Sequence, residues 1–142
     1  MQIAENINVS FSIKGIEIVR SVLNQPPQSG LNFEEFTFNI GVEQKIDETN
    51  KIILVFVNTD ILSKGVDKSL ASLSTLCIYH VANFEDIIKK EEGRLVLPDH
   101  FVNLLSSISI STSRGVMFTF FRGTYLHKAI LPVIDPLNLK PQ

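Results

Sequence analysis

The chain has 142 residues, 44% of them hydrophobic and 20% charged, and a net charge of −2. That length suits one domain, 1–142, with a real core, and the scattered, balanced charges make no case for nucleic acid or anionic lipid. The lone Cys77 excludes an internal disulfide and fits a reducing compartment, and no apolar run approaches the roughly 20 residues of a membrane span.

The first residues, MQIAENINVSFS, lack the basic start and apolar block of a secretory signal, so a cytoplasmic protein without membrane insertion is expected. Residues 7–13 alternate strictly, with Ile7, Val9, Phe11 and Ile13 on one side. Period two predicts a half-buried strand, which continues to Leu23 with Gly15 as a bulge or bend. Pro26 and Pro27 cannot lie inside a sheet, so 24–30 is a loop. A second strand is predicted over 33–46, with Phe36, Phe38, Ile40 and Val42 on one face and Thr37, Asn39, Gly41 and Glu43 on the other. After the polar turn 47–50, a third strand, 51–62, is apolar on both faces. It is therefore covered on both sides or keeps one side for a partner.

A fourth strand is predicted over 70–82, after the polar turn 63–69. Asn83 then caps a short helix, with Glu85 and Asp86 in its first turn, Lys89 and Lys90 in its last, and Gly93 ending it. Pro98 and Gly123 bracket one long helix over about 98–122. At 100° per residue, Phe101, Leu104, Leu105, Ile108, Thr112, Gly115 and Val116 share a face that is suited to covering a sheet. Val102, Ser106, Ser109, Ser113, Met117 and Phe120 form a second face, a stripe of small serines between larger apolar residues. The proline-punctuated tail after it is too apolar to float free and is expected to pack back on the body. Short polar turns between consecutive strands predict an α+β fold: a four-stranded antiparallel meander with a short crossover helix and one long C-terminal helix on one face.

The pattern offers little for catalysis. Cys77 and His80 are three apart on a strand, so thiol and imidazole point to opposite faces, and Cys77 reads as a core residue. His80, His100 and His127 show no metal-ligand spacing. The carboxylate pairs Glu34–Glu35, Asp47–Glu48 and Glu91–Glu92 fall in turns or strand ends, and there is no glycine-rich phosphate loop. No enzyme activity, metal or cofactor is expected. Phe118, Phe120, Phe121 and Tyr125 place four rings around one helix end; they are either core packing or an exposed apolar groove that binds polypeptide by burial. The serine stripe is either a solvated face or a close helix-to-helix contact between subunits.

Several short segments resemble the bacterial SecB export chaperones and their SecB-like relatives. They are Leu97–Pro98 at the helix start, Ser106–Ser107, and Thr112–Ser113–Arg114–Gly115, which is similar to the family's serine-Arg-Gly motif. Ile130–Leu131–Pro132–Val133–Ile134–Asp135–Pro136 is similar to the apolar segment after the helix, and Leu76–Cys77–Ile78–Tyr79–His80–Val81 with Phe84 to the strand entering the crossover. The resemblance implies a homotetramer, a dimer of dimers, that binds non-native polypeptide clients without ATP. Its client groove would be lined by Tyr79, Phe84, Phe118, Phe121, Tyr125, Ile130 and Leu131. Its oligomer interface would be formed by Val102, Ser106, Ser109, Ser113, Met117 and Phe120. Clients would be held for the SecA export motor; the alternative is a dedicated adaptor that protects one antitoxin, as in some relatives. The chain departs from the family in the longer spacing from Pro98 to Arg114, in a second Arg122–Gly123, and in stopping at Gln142 without the classical C-terminal helix. That last departure puts SecA docking through the terminus in question.

Overall fold

The computed structural model describes residues 9–27 and 35–139. Ile7 and Asn8 of the first expected strand, residues 28–30 of the loop, Phe33 and Glu34 of the second expected strand and residues 140–142 of the tail lie outside them. Four strands form one antiparallel sheet: β1 (Phe11–Leu23), β2 (Phe36–Asp47), β3 (Ile52–Ser63) and β4 (Ala71–Val81). The long helix α2 (Asp99–Phe120) packs across β3 and β4 on one face of it. The α+β class and the sheet-plus-helix layout are those expected.

The strand order is β1-β4-β3-β2, not the expected run of neighbours. Strands β2, β3 and β4 are the meander; β1 crosses to the far side and pairs with β4, which makes a Greek key. The reason lies in the connections. The connections from β2 to β3 (48–51) and from β3 to β4 (64–70) are short, whereas 24–35 is longer and carries Pro26 and Pro27, which disfavours a hairpin. Asn24 then extends the β1–β4 pairing, with its amide donating to Leu70 O at 3.0 Å and its side chain to Ser69 O at 2.8 Å. Register shifts fall between Ile13 and Gly15 and between Ile18 and Arg20, so Gly15 does sit at a bulge.

The crossover is shorter in helix than expected. Helix α1 is one turn, Phe84–Ile87. Lys89–Glu91 and Arg94–Val96 then pair as a small hairpin, β5 and β6. The central residues Glu92 and Gly93 both have positive φ, 51° and 77°, the geometry of the two-residue turn that matches strand twist. Lys89 and Lys90 therefore lie on a strand and not in a helix's last turn. Helix α2 starts after Pro98, whose carbonyl accepts from the amides of Phe101 and Val102. It ends at Phe120, three residues before Gly123, which has φ 79°.

Two apolar clusters lie between helix and sheet. One gathers Ile53, Val55, Cys77 and Tyr79 with Phe84, Phe101 and Leu105. The other gathers Val57, Ile61 and Leu73 with Ile110, Met117, Phe121 and Leu131. Each fully buried side chain of this kind contributes about 1.5–3 kcal/mol. A belt of hydroxyls is buried along with them: Thr59 and Thr75 from the sheet, Ser109 and Ser113 from the helix.

Candidate functional site

The serine stripe of α2 faces its own sheet. Ser109 and Ser113 are 0% exposed, and Ser106 and Met117 are buried beside them. Ser109 Oγ shares a 2.7 Å hydrogen bond with the Tyr79 hydroxyl, and Ser106 Oγ accepts from Gln44 Nε2 at 3.1 Å. Four of the six expected interface residues thus have no surface to offer another subunit. Val102 is half-buried against the first cluster, and Phe120 is exposed, edge-on to Phe121 at 5.2 Å. A Cβ on Gly115 would meet nothing within 4 Å, so no neighbouring element of the subunit needs a glycine there. The expected sheet-facing stripe is rotated away. Only Phe101 and Leu105 of it are buried; Ile108, Thr112 and Val116 are half-buried, and Leu104 and Gly115 are exposed. The helix is turned by roughly 90° from the orientation its apolar stripe predicts.

Burial of Tyr79 pushes its phenol pKa well above the ordinary value. An unfolded tyrosine ionises near pH 10, so the folded state then holds a proton that the unfolded chain has lost. The stability linked to Tyr79 is fully present below about pH 10 and is lost as pH rises toward the folded value. Thermal melts across the alkaline range are expected to fall more steeply for the wild type than for Tyr79→Phe. Near neutral pH, Tyr79→Phe is the less stable by about 1 kcal/mol, because it strips Ser109 of its partner.

The expected groove residues do not line one surface. Tyr79, Phe84, Phe121 and Leu131 are core residues. Tyr125 is half-buried, and its hydroxyl lies 2.7 Å from Asn24 O and 3.3 Å from Leu70 O, pinning the end of β1 to the start of β4. Phe118 and Ile130 are exposed but border different hollows: Phe118 with Arg122, Gly123, Thr124 and His127, Ile130 with β2.

That second hollow is an open trough of roughly 680 Å³. Strand β2 supplies Phe36, Phe38 and Ile40 along one side. The returning tail supplies Ile130, Pro132, Ile134 and Leu139 along the other. Thr37 and Asn39 complete the lining, which among the described residues carries no ionisable side chain. β2 ends the strand order, so one of its edges pairs with no other strand among the described residues. Alternate residues on such an edge direct N–H and C=O groups outward, a template for an added strand. The alternation of Phe36, Phe38 and Ile40 was readable in the sequence, but the tail opposite them was not.

A second apolar surface lies at the other edge. Ile13, Ile16, Ile18 and Leu23 pair with residues on the helix side of β4, yet they are 42%, 48%, 44% and 43% exposed because α2 does not cover β1. The flank of α2 beside them is also apolar. Ile18 shares a hollow with Gly115, Val116, Thr119 and Phe120, and Phe11 meets Phe101 edge-on at 5.5 Å. Among the described residues no helix is long and apolar enough to cross a membrane.

No protein-family model matches the sequence, and no curated protein does. A solved structure is similar: the SecB-like chaperone Rv1957 of Mycobacterium tuberculosis, in complex with a ChAD peptide from the HigA1 antitoxin Rv1956. The match covers 87% of this chain and 90% of that one, with a TM-score of 0.53 and 11% identity. The likeness is one of architecture: the chain has a SecB-like fold.

Proposed function

We propose that this protein is a SecB-like chaperone or adaptor that binds non-native polypeptide, with an extended apolar segment lying in the trough between β2 and the tail. The observation that carries this reading is the union of a free strand edge with an uncharged apolar wall. Main-chain bonds to the edge supply affinity without reading sequence, and burial against Phe36, Phe38, Ile134 and Leu139 supplies the rest. General holdase activity is tested by the aggregation of a chemically unfolded client with equimolar protein present. Suppression is expected, and undiminished aggregation sinks the holdase claim. The peptide held by the SecB-like neighbour favours a second form of the reading, a dedicated adaptor for one partner such as an antitoxin. Affinity capture from the native cytoplasm separates the two: many clients for a holdase, one stoichiometric partner for an adaptor. Delivery to the SecA motor belongs to the holdase form.

The same reading includes a homo-oligomer, a dimer of dimers. The surface that supports it is the β1 shelf with the apolar flank of α2, not the serine stripe. An apolar helix face turned sideways beside exposed isoleucines gains burial when a second copy meets it, and a twofold contact matches like with like. Ile16→Glu is expected to leave the secondary structure intact while light scattering falls to half the wild-type mass or less. An unchanged mass would remove the shelf from the assembly.

A further inference from the structure

We infer that Arg114 is a positioning residue for the trough, a latch that fixes the tail wall to the helix; this rests on the peptide-groove reading above. Its guanidinium donates from Nε to Leu131 O and from Nη2 to Pro132 O, both at 2.7 Å. Two donors of one planar group thus hold two successive carbonyls, a geometry that lysine's single ammonium cannot reproduce.

The placement of these bonds gives them their consequence. The tail runs extended here, with Ile130, Pro132 and Ile134 on the trough. Leu131 is buried in the core, and Val133 is 95% exposed. Leu131 is thus the wall's one fully buried anchor, while Ile134 and Leu139 pack on the second cluster only in part. Pro132 contributes no N–H to any ladder. Leu131 fixes the wall's depth, and the partly buried side chains beyond it leave the rotation of the chain around Pro132 loosely set. The paired carbonyl contacts fix that rotation, and with it the direction in which Ile130 and Ile134 point. Arg114 itself sits on α2, whose buried face belongs to both apolar clusters, so the wall is tied through the helix to the sheet. Releasing the latch leaves the trough's floor in place and frees one wall.

The experiment uses the full chain and a fluorescein-labelled twelve-residue peptide of alternating leucine and threonine. Arg114→Gln and Arg114→Lys are compared with the wild type by fluorescence anisotropy and by backbone nitrogen-15 relaxation. For Arg114→Gln the dissociation constant is expected to rise about tenfold, the scale of a lost hydrogen bond to a charged group. The order parameters of the Leu131, Val133 and Ile134 amides are expected to fall while those of β3 and β4 keep their wild-type values. Arg114→Lys recovers part of the affinity. General destabilisation would instead lower the melting temperature and leave the tail's order parameters unchanged. Wild-type affinity in Arg114→Gln, or unchanged order parameters in its tail, overturns the latch and leaves the groove standing. A wild-type protein that does not bind the peptide overturns the groove reading and the latch with it.

Discussion

Ser109→Arg is expected to abolish cooperative folding of the subunit. Ser109 has no accessible surface, and its hydroxyl already satisfies the Tyr79 phenol in the space between helix and sheet. Arginine there has two options. It buries an unpaired guanidinium beside Tyr79, or it lifts α2 from the strands and exposes both apolar clusters. Burying an uncompensated charge costs several kcal/mol even after relaxation, against a total stability of about 5–15 kcal/mol for an ordinary domain. Circular dichroism is expected to show no cooperative thermal transition. Ser113→Ala is the contrast on the same face. Its hydroxyl is buried with no hydrogen-bond partner among the described residues, so its removal is expected to leave stability unchanged or raise it slightly. A Ser109→Arg protein that melts normally but falls apart into smaller particles would return the stripe to the role of a subunit contact.

The misreading of that stripe shows what was legible in the chain and what was not. Strand existence was legible, because a period of two in β2 and β3 is a local property of the residues. The ends of α2 were legible for the same reason, through Pro98 and Gly123. The facing of α2 was not. An apolar stripe centred near Phe101 and Ile108 competes with a serine stripe, and hydrophobicity alone points the wrong face at the sheet. The deciding fact is the polarity of the sheet beneath, where Tyr79 presents a hydroxyl that needs a partner. Ser109 meets that need, and the small side chains of Ser106 and Ser113 beside it fit between helix and sheet. The position of β1 was hidden too, since its isoleucines pair equally well with β2 or β4 until the loop 24–35 disfavours a hairpin. The groove depended on that order: Phe36, Phe38 and Ile40 border a trough because β2 became an edge. Aromatic density alone marks 118–125 as a surface, whereas Phe121 turns inward into the second cluster.

Phe38→Asp is expected to weaken binding of an extended apolar peptide at least tenfold, and Phe118→Asp to leave it unchanged. Phe38 stands between Phe36 and Ile40 on the free strand and faces the tail wall. A carboxylate there places a charge where the peptide's apolar side chains would be buried, and losing the contact of one aromatic ring typically costs a few kcal/mol at the centre of an interface. Phe118 is more exposed to solvent than the half-buried Phe38, but it borders a separate hollow beside Arg122 and His127. The pair of variants therefore distinguishes the β2 trough from the helix end as the site of binding. Because Phe38 also packs on the second core cluster, part of its effect could come through folding. A peptide N-methylated at alternate positions tests the same contact with the protein untouched. It loses the main-chain donors that an added strand needs, so its affinity is expected to fall as Phe38→Asp makes it fall. Equal affinity of methylated and plain peptides would mean that side-chain burial alone holds the ligand and that the free edge of β2 plays no part.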